Sequence, residues 1–223
     1  MILVVVPAYN EEKRIGRVLR GLFEHGYKNI LVVDDCSLDN TVNIALRAGA
    51  KVLSHKINRG QGASLETGNV YARQNGYDIV VHFDGDDQMN PEDIKMAIDK
   101  IENGGYDIVL GSRFLDGRSK IPFPKKFLIL PVSRWINFVF THVKLTDVHN
   151  GFRVLNKKAL DSIRITQDQM AHNTEIVRQI KKNDLKFVEI PVEINYHHFG
   201  QGVEGGVQIL KDLLLDRISK GGE

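Results

Sequence analysis

Residues 82–93 read His-Phe-Asp-Gly-Asp-Asp-Gln-Met-Asn-Pro-Glu-Asp and hold five acidic side chains, directly behind the apolar run Ile79-Val80-Val81. Carboxylates this close repel one another and are costly to desolvate, so a positive partner is expected. Asp84 and Asp86 are separated by one residue where a strand must turn, so both can reach one ion or its waters. Hard oxygen ligands select Mg²⁺ or Mn²⁺, which also accept diphosphate oxygens. Such an ion offsets the carboxylate repulsion and neutralises a departing nucleoside diphosphate. A calcium loop of EF-hand type is excluded, because Met89 stands where that loop needs glycine.

The elements that must position this pair follow from an alternating pattern. Short β-branched runs appear at 2–6, 30–33, 51–54, 79–83 and 108–110. Helical patterns lie between them, at about 12–25, 40–48, 62–74 and 91–103. Gly26, Gly49, Gly76 and Gly104-Gly105 fall where those helices should stop. Strand–helix–strand units of this length predict an α/β fold, a mostly parallel central sheet with helices on both faces. The rhythm breaks after Arg113. With 223 residues and no low-complexity linker, one continuous domain is expected.

Ligands of open parallel sheets bind beyond the carboxyl ends of the strands. The segments that follow the five strands are 7–12 (Pro-Ala-Tyr-Asn-Glu-Glu), 34–41, 58–62, 84–86 and 111–113, all polar or rich in glycine. Neither the G-x-G-x-x-G of a dinucleotide fold nor a P-loop follows the first strand. Each segment alone has a simple structural reading: Asp39-Asn40-Thr41 as a helix cap, Gly60 and Gly62 as a turn, and Asn90-Pro91 as a helix start. Five such exits in one register point instead to a nucleotide-sugar site.

Composition narrows the partners. The net charge of +2 is too small to argue for nucleic acid, and 42% apolar with 26% charged residues is an ordinary soluble balance. The single cysteine, Cys36, excludes an internal disulfide framework and fits a reducing compartment. No leader and no stretch of 18 apolar residues is expected, which suggests a cytoplasmic protein or one peripheral on the cytosolic membrane face.

Six segments together resemble family 2 glycosyltransferases, and within them the dolichyl- and polyprenyl-phosphate sugar transferases. They are "VVPAYNEE" (5–12), "VVDDCSLDNT" (32–41), "NRGQGAS" (58–64), "DGDDQMNPED" (84–93), "GSRF" (111–114) and "DVHNGFRVL" (147–155), in family order over about the first 160 residues. The resemblance implies a GT-A fold, a nucleotide-sugar donor (GDP- or UDP-hexose), a divalent metal and inversion at the anomeric carbon. It implies a nucleotide-binding half over about 1–115 and an acceptor-binding half over about 116–223. Pro7, Tyr9, Asn10 and Glu11 would line the nucleotide pocket. Asp35 would contact the base, and Asn58, Arg59 and Gly60 would shape the loop under the nucleoside. Asp84, Gly85 and Asp86 form the D-x-D element, with Gln88 completing a metal shell of Asp84, Asp86 and Gln88. Arg113 would face the phosphates or the acceptor. Asp147, Arg153 and, more loosely, Arg134 would lie near the acceptor, which is expected to be a polyprenyl phosphate. A saccharide hydroxyl as acceptor, and a non-catalytic scaffold, are the alternatives.

Two stretches of the second half bear on that acceptor. Residues 121–145 combine Trp135, Phe138 and Phe140 with Lys125, Lys126 and Arg134. This pattern suits a bilayer interface with basic groups on lipid phosphates, or a packed core pair. Residues 189–202 depart from the arginine–glycine–serine–lysine pattern of the mannose synthases and carry His197-His198, which reads as a surface loop. The amphipathic 205–222 segment reads as a docking helix.

Overall fold

The computed structural model describes residues 1–116, 143–147 and 150–194. Arg134, the rest of 121–142, His197, His198 and 205–222 lie outside them. Among the described residues, strands β1 (Ile2–Ala8), β2 (Ile30–Asp34), β3 (Lys51–Ser54), β4 (Ile79–His82) and β5 (Ile108–Ser112) alternate with four helices. These are α1 (Ile15–Glu24), α2 (Thr41–Arg47), α3 (Gln61–Gln74) and α4 (Glu92–Glu102). Then come β6 (Arg153–Asn156), α5 (Lys157–Ser162), α6 (His172–Lys182) and β7 (Phe187–Pro191).

The seven strands form one sheet in the order β3-β2-β1-β4-β6-β5-β7. All pairings are parallel except those of β6, which runs antiparallel between β4 and β5. The mostly parallel α/β sheet expected from the sequence is therefore present. After the break in rhythm at Arg113, the next strand among the described residues is β6, and it runs in reverse.

Near-continuous apolar strands are what a sheet covered on both faces requires. The side-chain alternation of β1 shows it: Val4, Val6 and Ala8 pack with Ile15, Val18, Leu19, Leu22, Ile94 and Ala97, while Leu3 and Val5 pack with Leu65, Ile176, Val177 and Ile180. Helices α1 and α4 thus cover one face, and α3, α5 and α6 the other. In α1 the buried residues recur at a spacing of three and four, one stripe of the helix, each contributing about 1.5–3 kcal/mol on burial.

Helix α1 starts at Ile15, three residues later than its periodicity suggests. The cause is tertiary. The Glu11 N–H donates to Thr41 Oγ1 (2.7 Å) and the Glu12 N–H to Asp39 Oδ2 (3.1 Å), so the loop after β2 takes these amides. Asp39 also accepts from the Thr41 N–H (2.9 Å), and so serves its own helix as the cap pattern suggested.

Close approach of α3 to β1 depends on Gly68, where an added Cβ would overlap the Val5 side chain. Overpacking of this kind costs about 1–3 kcal/mol. We expect Gly68→Ala to lower stability by that amount, measured as a shift in the urea midpoint at unchanged slope; an unshifted midpoint would show that α3 moves freely off the sheet.

Candidate active site

The parallel strands β1 to β5 all end on one edge, so the residues after Ala8, Asp34, Ser54, His82 and Ser112 gather there. Because β6 is antiparallel, its first residues arrive at the same edge: His82 and Leu110 are both in register with Arg153. The reversal of one strand thus joins the 147–153 segment to the D-x-D element.

On the β1–β3 side, Pro7 is buried within β1, Tyr9 is 46% exposed, and Asn10 takes a left-handed conformation with φ 55°. Asn10 is held by its N–H to Ser37 Oγ (2.9 Å) and by Oδ1, which accepts from the Leu38 N–H (2.9 Å). Glu11 is half-buried and accepts from Arg14 (2.8 Å); burial pushes its carboxyl upward against that pairing. Asp35 is buried, and three donors of this chain reach its carboxylate: His55 Nδ1 (2.8 Å), the Arg59 N–H (2.9 Å) and the Gly60 N–H (2.6 Å). Its first structural task is therefore to fold the 58–60 loop. His55 is fixed in turn by Thr67 Oγ1 (2.9 Å). Asn58 and Arg59 are exposed above this seat.

Gly60 has φ 102°, a conformation that other residues rarely adopt, and a Cβ there would lie 2.5 Å from the Asp168 carbonyl oxygen. That carbonyl accepts from the Gly62 N–H (2.8 Å) and the Ala63 N–H (3.3 Å), so a distant segment caps α3. The simple structural reading of Gly60 and Gly62 is a local turn; in the fold both glycines also face residues 167–169, where a Cβ would not fit.

Asp84, partly buried, receives Gln61 Nε2 at 2.7 Å on Oδ1. Gly151 lies against it, and a Cβ there would stand 2.5 Å from Asp84 Oδ2. Desolvation, and then the nearby Asp86 charge, push the Asp84 carboxyl up to about 7, against the pull of Arg153 and Arg113. Asp86 is raised as well, by desolvation, although its Oδ1 accepts from the Gln88 N–H (3.1 Å). Gly85, buried between them, sits 3.0 Å from the Pro7 carbonyl by its absent Cβ. Asp87 (φ 65°) turns outward to Arg17 Nε at 2.7 Å. Among the described residues, no group of three or more His, Cys, Asp or Glu side chains forms a ready metal shell. Two desolvated carboxylates at one strand exit fit one hard divalent ion, which Asp84 and Asp86 would hold through oxygen.

Arg153 is buried, bonded to Asn173 Oδ1 and, at 3.3 Å, to the Gly151 carbonyl. Desolvation lowers its pKa to about 10 even beside the charges of Asp84 and Asp147. It is an interior residue, 2% exposed, whose charge is felt by Asp84. Around it, His82 and His172 are held neutral: burial and the Arg153 charge bring His172 to about 3 and His82 well below its usual value. Arg113 is clamped by Asp147, with Nε to Oδ2 at 2.6 Å, a second guanidinium nitrogen to Oδ1 at 2.8 Å and the backbone N–H to Oδ2 at 3.1 Å. The structure thus brings together Asp84, Gly85, Asp86, Gln88, Arg113, Asp147 and Arg153, and on the other side Pro7 to Glu11, Asp35 and Asn58 to Gly60. Sequence reasoning missed His55, Gln61 and Gly151. Gln61 and Gly151 carried a signal, since both fall inside recognised segments.

Fold and site together define a glycosyltransferase of GT-A architecture. The chain belongs to glycosyl transferase family 2, whose model matches residues 3–164. It is 32% identical over 247 residues to the UDP-N-acetylglucosamine–dolichyl-phosphate N-acetylglucosaminyltransferase of Methanococcus voltae, covering 99% of this chain and 97% of that protein. It is 26% identical to the polyprenol monophosphomannose synthase of Mycolicibacterium smegmatis, covering 93% of this chain and 82% of that protein. The fold is shared with glucosyl-3-phosphoglycerate synthase from Mycobacterium tuberculosis, crystallised with Mn²⁺, UDP and phosphoglyceric acid: TM-score 0.75 at 16% identity, over 100% of this chain and 78% of that one.

The raised Asp84 pKa has a definite sign in stability. Between the unfolded carboxyl value, about 4, and about 7 the folded state binds more protons than the unfolded state, so this group costs stability as pH rises through that window. The two neutral histidines act the other way, removing stability as pH falls below about 6.5. Comparison with a variant isolates Asp84. In the metal-free protein, Asp84→Asn should have a higher thermal midpoint than wild type at pH 8, with the gap closing toward pH 5. A gap that widens toward pH 5 would contradict this electrostatics.

Proposed function

We propose that this glycosyltransferase moves a hexose or N-acetylhexosamine from a UDP- or GDP-sugar to a polyprenyl phosphate, with inversion at the anomeric carbon. Asp84 and Asp86, with Gln88, would hold Mg²⁺ or Mn²⁺, which when bound neutralises the leaving nucleoside diphosphate. The donor nucleotide would occupy the seat made by Pro7, Tyr9, Asn10, Glu11, Asp35 and the 58–60 loop. Gln61 orients Asp84 from α3, and Gly151 leaves room for its carboxylate. Arg113, fixed by Asp147, would present its charge to phosphate, a group that a guanidinium matches as a planar fork.

The observation that carries the acceptor class is the clamp of Asp147 by Arg113. A sugar hydroxyl acceptor needs a general base to take its proton, whereas a phosphate is already an anion and needs none. Asp147, the carboxylate expected on the acceptor side, has both oxygens engaged by Arg113. It is thus poised to aim a cation and not to remove a proton. The relatives named for dolichyl and polyprenol phosphates support the same class. Among the described residues, no helix is long and apolar enough to cross a membrane. A peripheral lipid contact through 121–145 is part of this proposal.

Thermal stabilisation by UDP- and GDP-sugars with Mn²⁺ tests the donor, since a ligand at 100 times its dissociation constant adds about 2.7 kcal/mol. Asp86→Ala should leave the fold intact and lower transfer to polyprenyl phosphate by at least ~100-fold, several kcal/mol of transition-state stabilisation. Near-normal turnover of that variant in Mn²⁺ would remove the metal assignment. A wild-type protein that hydrolyses no donor with or without Mn²⁺ would be a scaffold, and one that glycosylates a soluble saccharide but not the lipid would overturn the acceptor. Asp35→Ala should weaken donor binding more than it slows turnover of bound donor; an unchanged donor affinity would place the base elsewhere.

A further inference from the structure

We infer that Glu189 is a positioning residue for Arg113, acting through the turn at Thr146-Asp147, and that this relay sets affinity for the acceptor phosphate. The relay is read from geometry alone; its functional half rests on the phosphate-acceptor reading above.

Glu189 lies on β7, in register with Leu110 of β5, at the side of the sheet where the reversed β6 delivers the 147–153 segment. Its side chain reaches out of the strand to a segment more than forty residues earlier. Oε1 accepts from the Thr146 N–H (2.9 Å), from Thr146 Oγ1 (2.9 Å) and from the Asp147 N–H (3.1 Å), and Oε2 shares the Thr146 N–H (2.9 Å). Thr146 Oγ1 also meets Ser112 Oγ at 2.6 Å, so the turn is tied to β5 and β7 at once. Among the described residues, Glu189 forms no ion pair with Lys, Arg or His. Its charge is spent on neutral donors, and charge-assisted bonds of this kind are about twice as strong as neutral ones.

The direct bond to the Asp147 N–H fixes the backbone from which the Asp147 carboxylate projects. That carboxylate, itself buried, then holds Arg113 by a two-pronged contact and by the Arg113 backbone N–H. The Arg113 side chain keeps 22% exposure and stands close enough to Asp84 to lower its pKa. Two prongs fix the plane of a guanidinium as well as its position, so a loosened turn would shift and tilt the charge that Arg113 presents. Misplacement of a binding group by about 1 Å can cost up to ~100-fold. A simple staple between strands would instead lower stability and every activity together.

The test uses the full chain with Glu189→Gln, Thr146→Val, Asp147→Asn and the pair Glu189→Gln/Asp147→Asn. Each is assayed for kcat, for KM toward polyprenyl phosphate, for UDP or GDP affinity with Mn²⁺ and for thermal midpoint. The Arg113 Nε–H resonance in ¹⁵N spectra reports the clamp directly. Glu189→Gln should raise the acceptor KM about 10-fold with kcat within about twofold and nucleotide affinity unchanged, the size of a coupling between residues in one network. The pair should be no worse than Asp147→Asn alone, and the Arg113 signal should shift in Glu189→Gln. Should that variant fail to fold, Thr146→Val, which removes one hydroxyl contact and no charge, should raise the same KM by a smaller factor. Multiplying effects in the pair, an unmoved Arg113 signal, or kcat and KM both worsening in step with a lowered thermal midpoint would overturn the relay; so would an unchanged KM in Thr146→Val. If wild type transfers nothing to polyprenyl phosphate, the acceptor reading fails, and the Arg113 signal still decides whether the relay exists.

Discussion

A carboxylate set at the end of β4 with little water around it is the constraint on which the rest of this site depends. Asp84 is crowded by Asp86 on one side and by the backbone of Gly151 on the other, and its ionised form is disfavoured enough to bring its pKa to about 7. Removing a charge from water costs several kcal/mol unless it is paired and hydrogen-bonded. The surrounding groups supply that compensation in part: the Gln61 amide from α3, the Arg153 charge from β6 and the more distant Arg113. Helix, strand and loop must each arrive at a fixed place for this to work, so the local chemistry dictates much of the architecture around it.

The compensation carries its own cost further inside. Arg153 is a buried cation, and the imidazoles of His82 and His172 stay neutral beside it because a second charge there would be both desolvated and repelled. His82 bonds to Asn69 Oδ1 (2.9 Å) and His172 to the Gln169 carbonyl (2.8 Å), so the two rings beside the guanidinium are polar but uncharged. Asn69, His82, His172 and Asn173 thus place buried polar side chains between the sheet and the α3–α6 layer, beside an aliphatic core.

The segment 164–169 links the two sides of the site. Its backbone N–H groups are collected by side chains from three places: Gln179 takes Arg164, Glu66 takes Ile165, and Glu175 takes both Thr166 and Gln167. So anchored, it returns the Asp168 carbonyl to the first amides of α3. The same helix carries Gln61, which orients Asp84, and Thr67, which fixes His55 and through it Asp35. One helix therefore couples the Asp35 loop to the carboxylate pair, and the chain that caps it comes from the half of the sequence beyond residue 115.

The sequence by itself determined the alternating α/β order, four of the helices to within a few residues, and the register in which five strand exits share an edge. Those features are local: apolar period, glycine stops and strand length are written in short windows. It also placed Asp84 and Asp86 at one strand exit, because their spacing alone brings two carboxylates to one turn. Only the tertiary structure decided that β6 runs backward, since a four-residue strand carries no sign of its direction. That reversal brought Asp147, Gly151 and Arg153 to the site. Tertiary structure also decided that Arg153 is interior, that Asp35 folds a loop, and that Glu189 reaches Asp147. Each of these depends on which polar atom meets which across forty residues or more, or across two separate strands, and a buried polar atom is satisfied by whatever the packed fold places beside it.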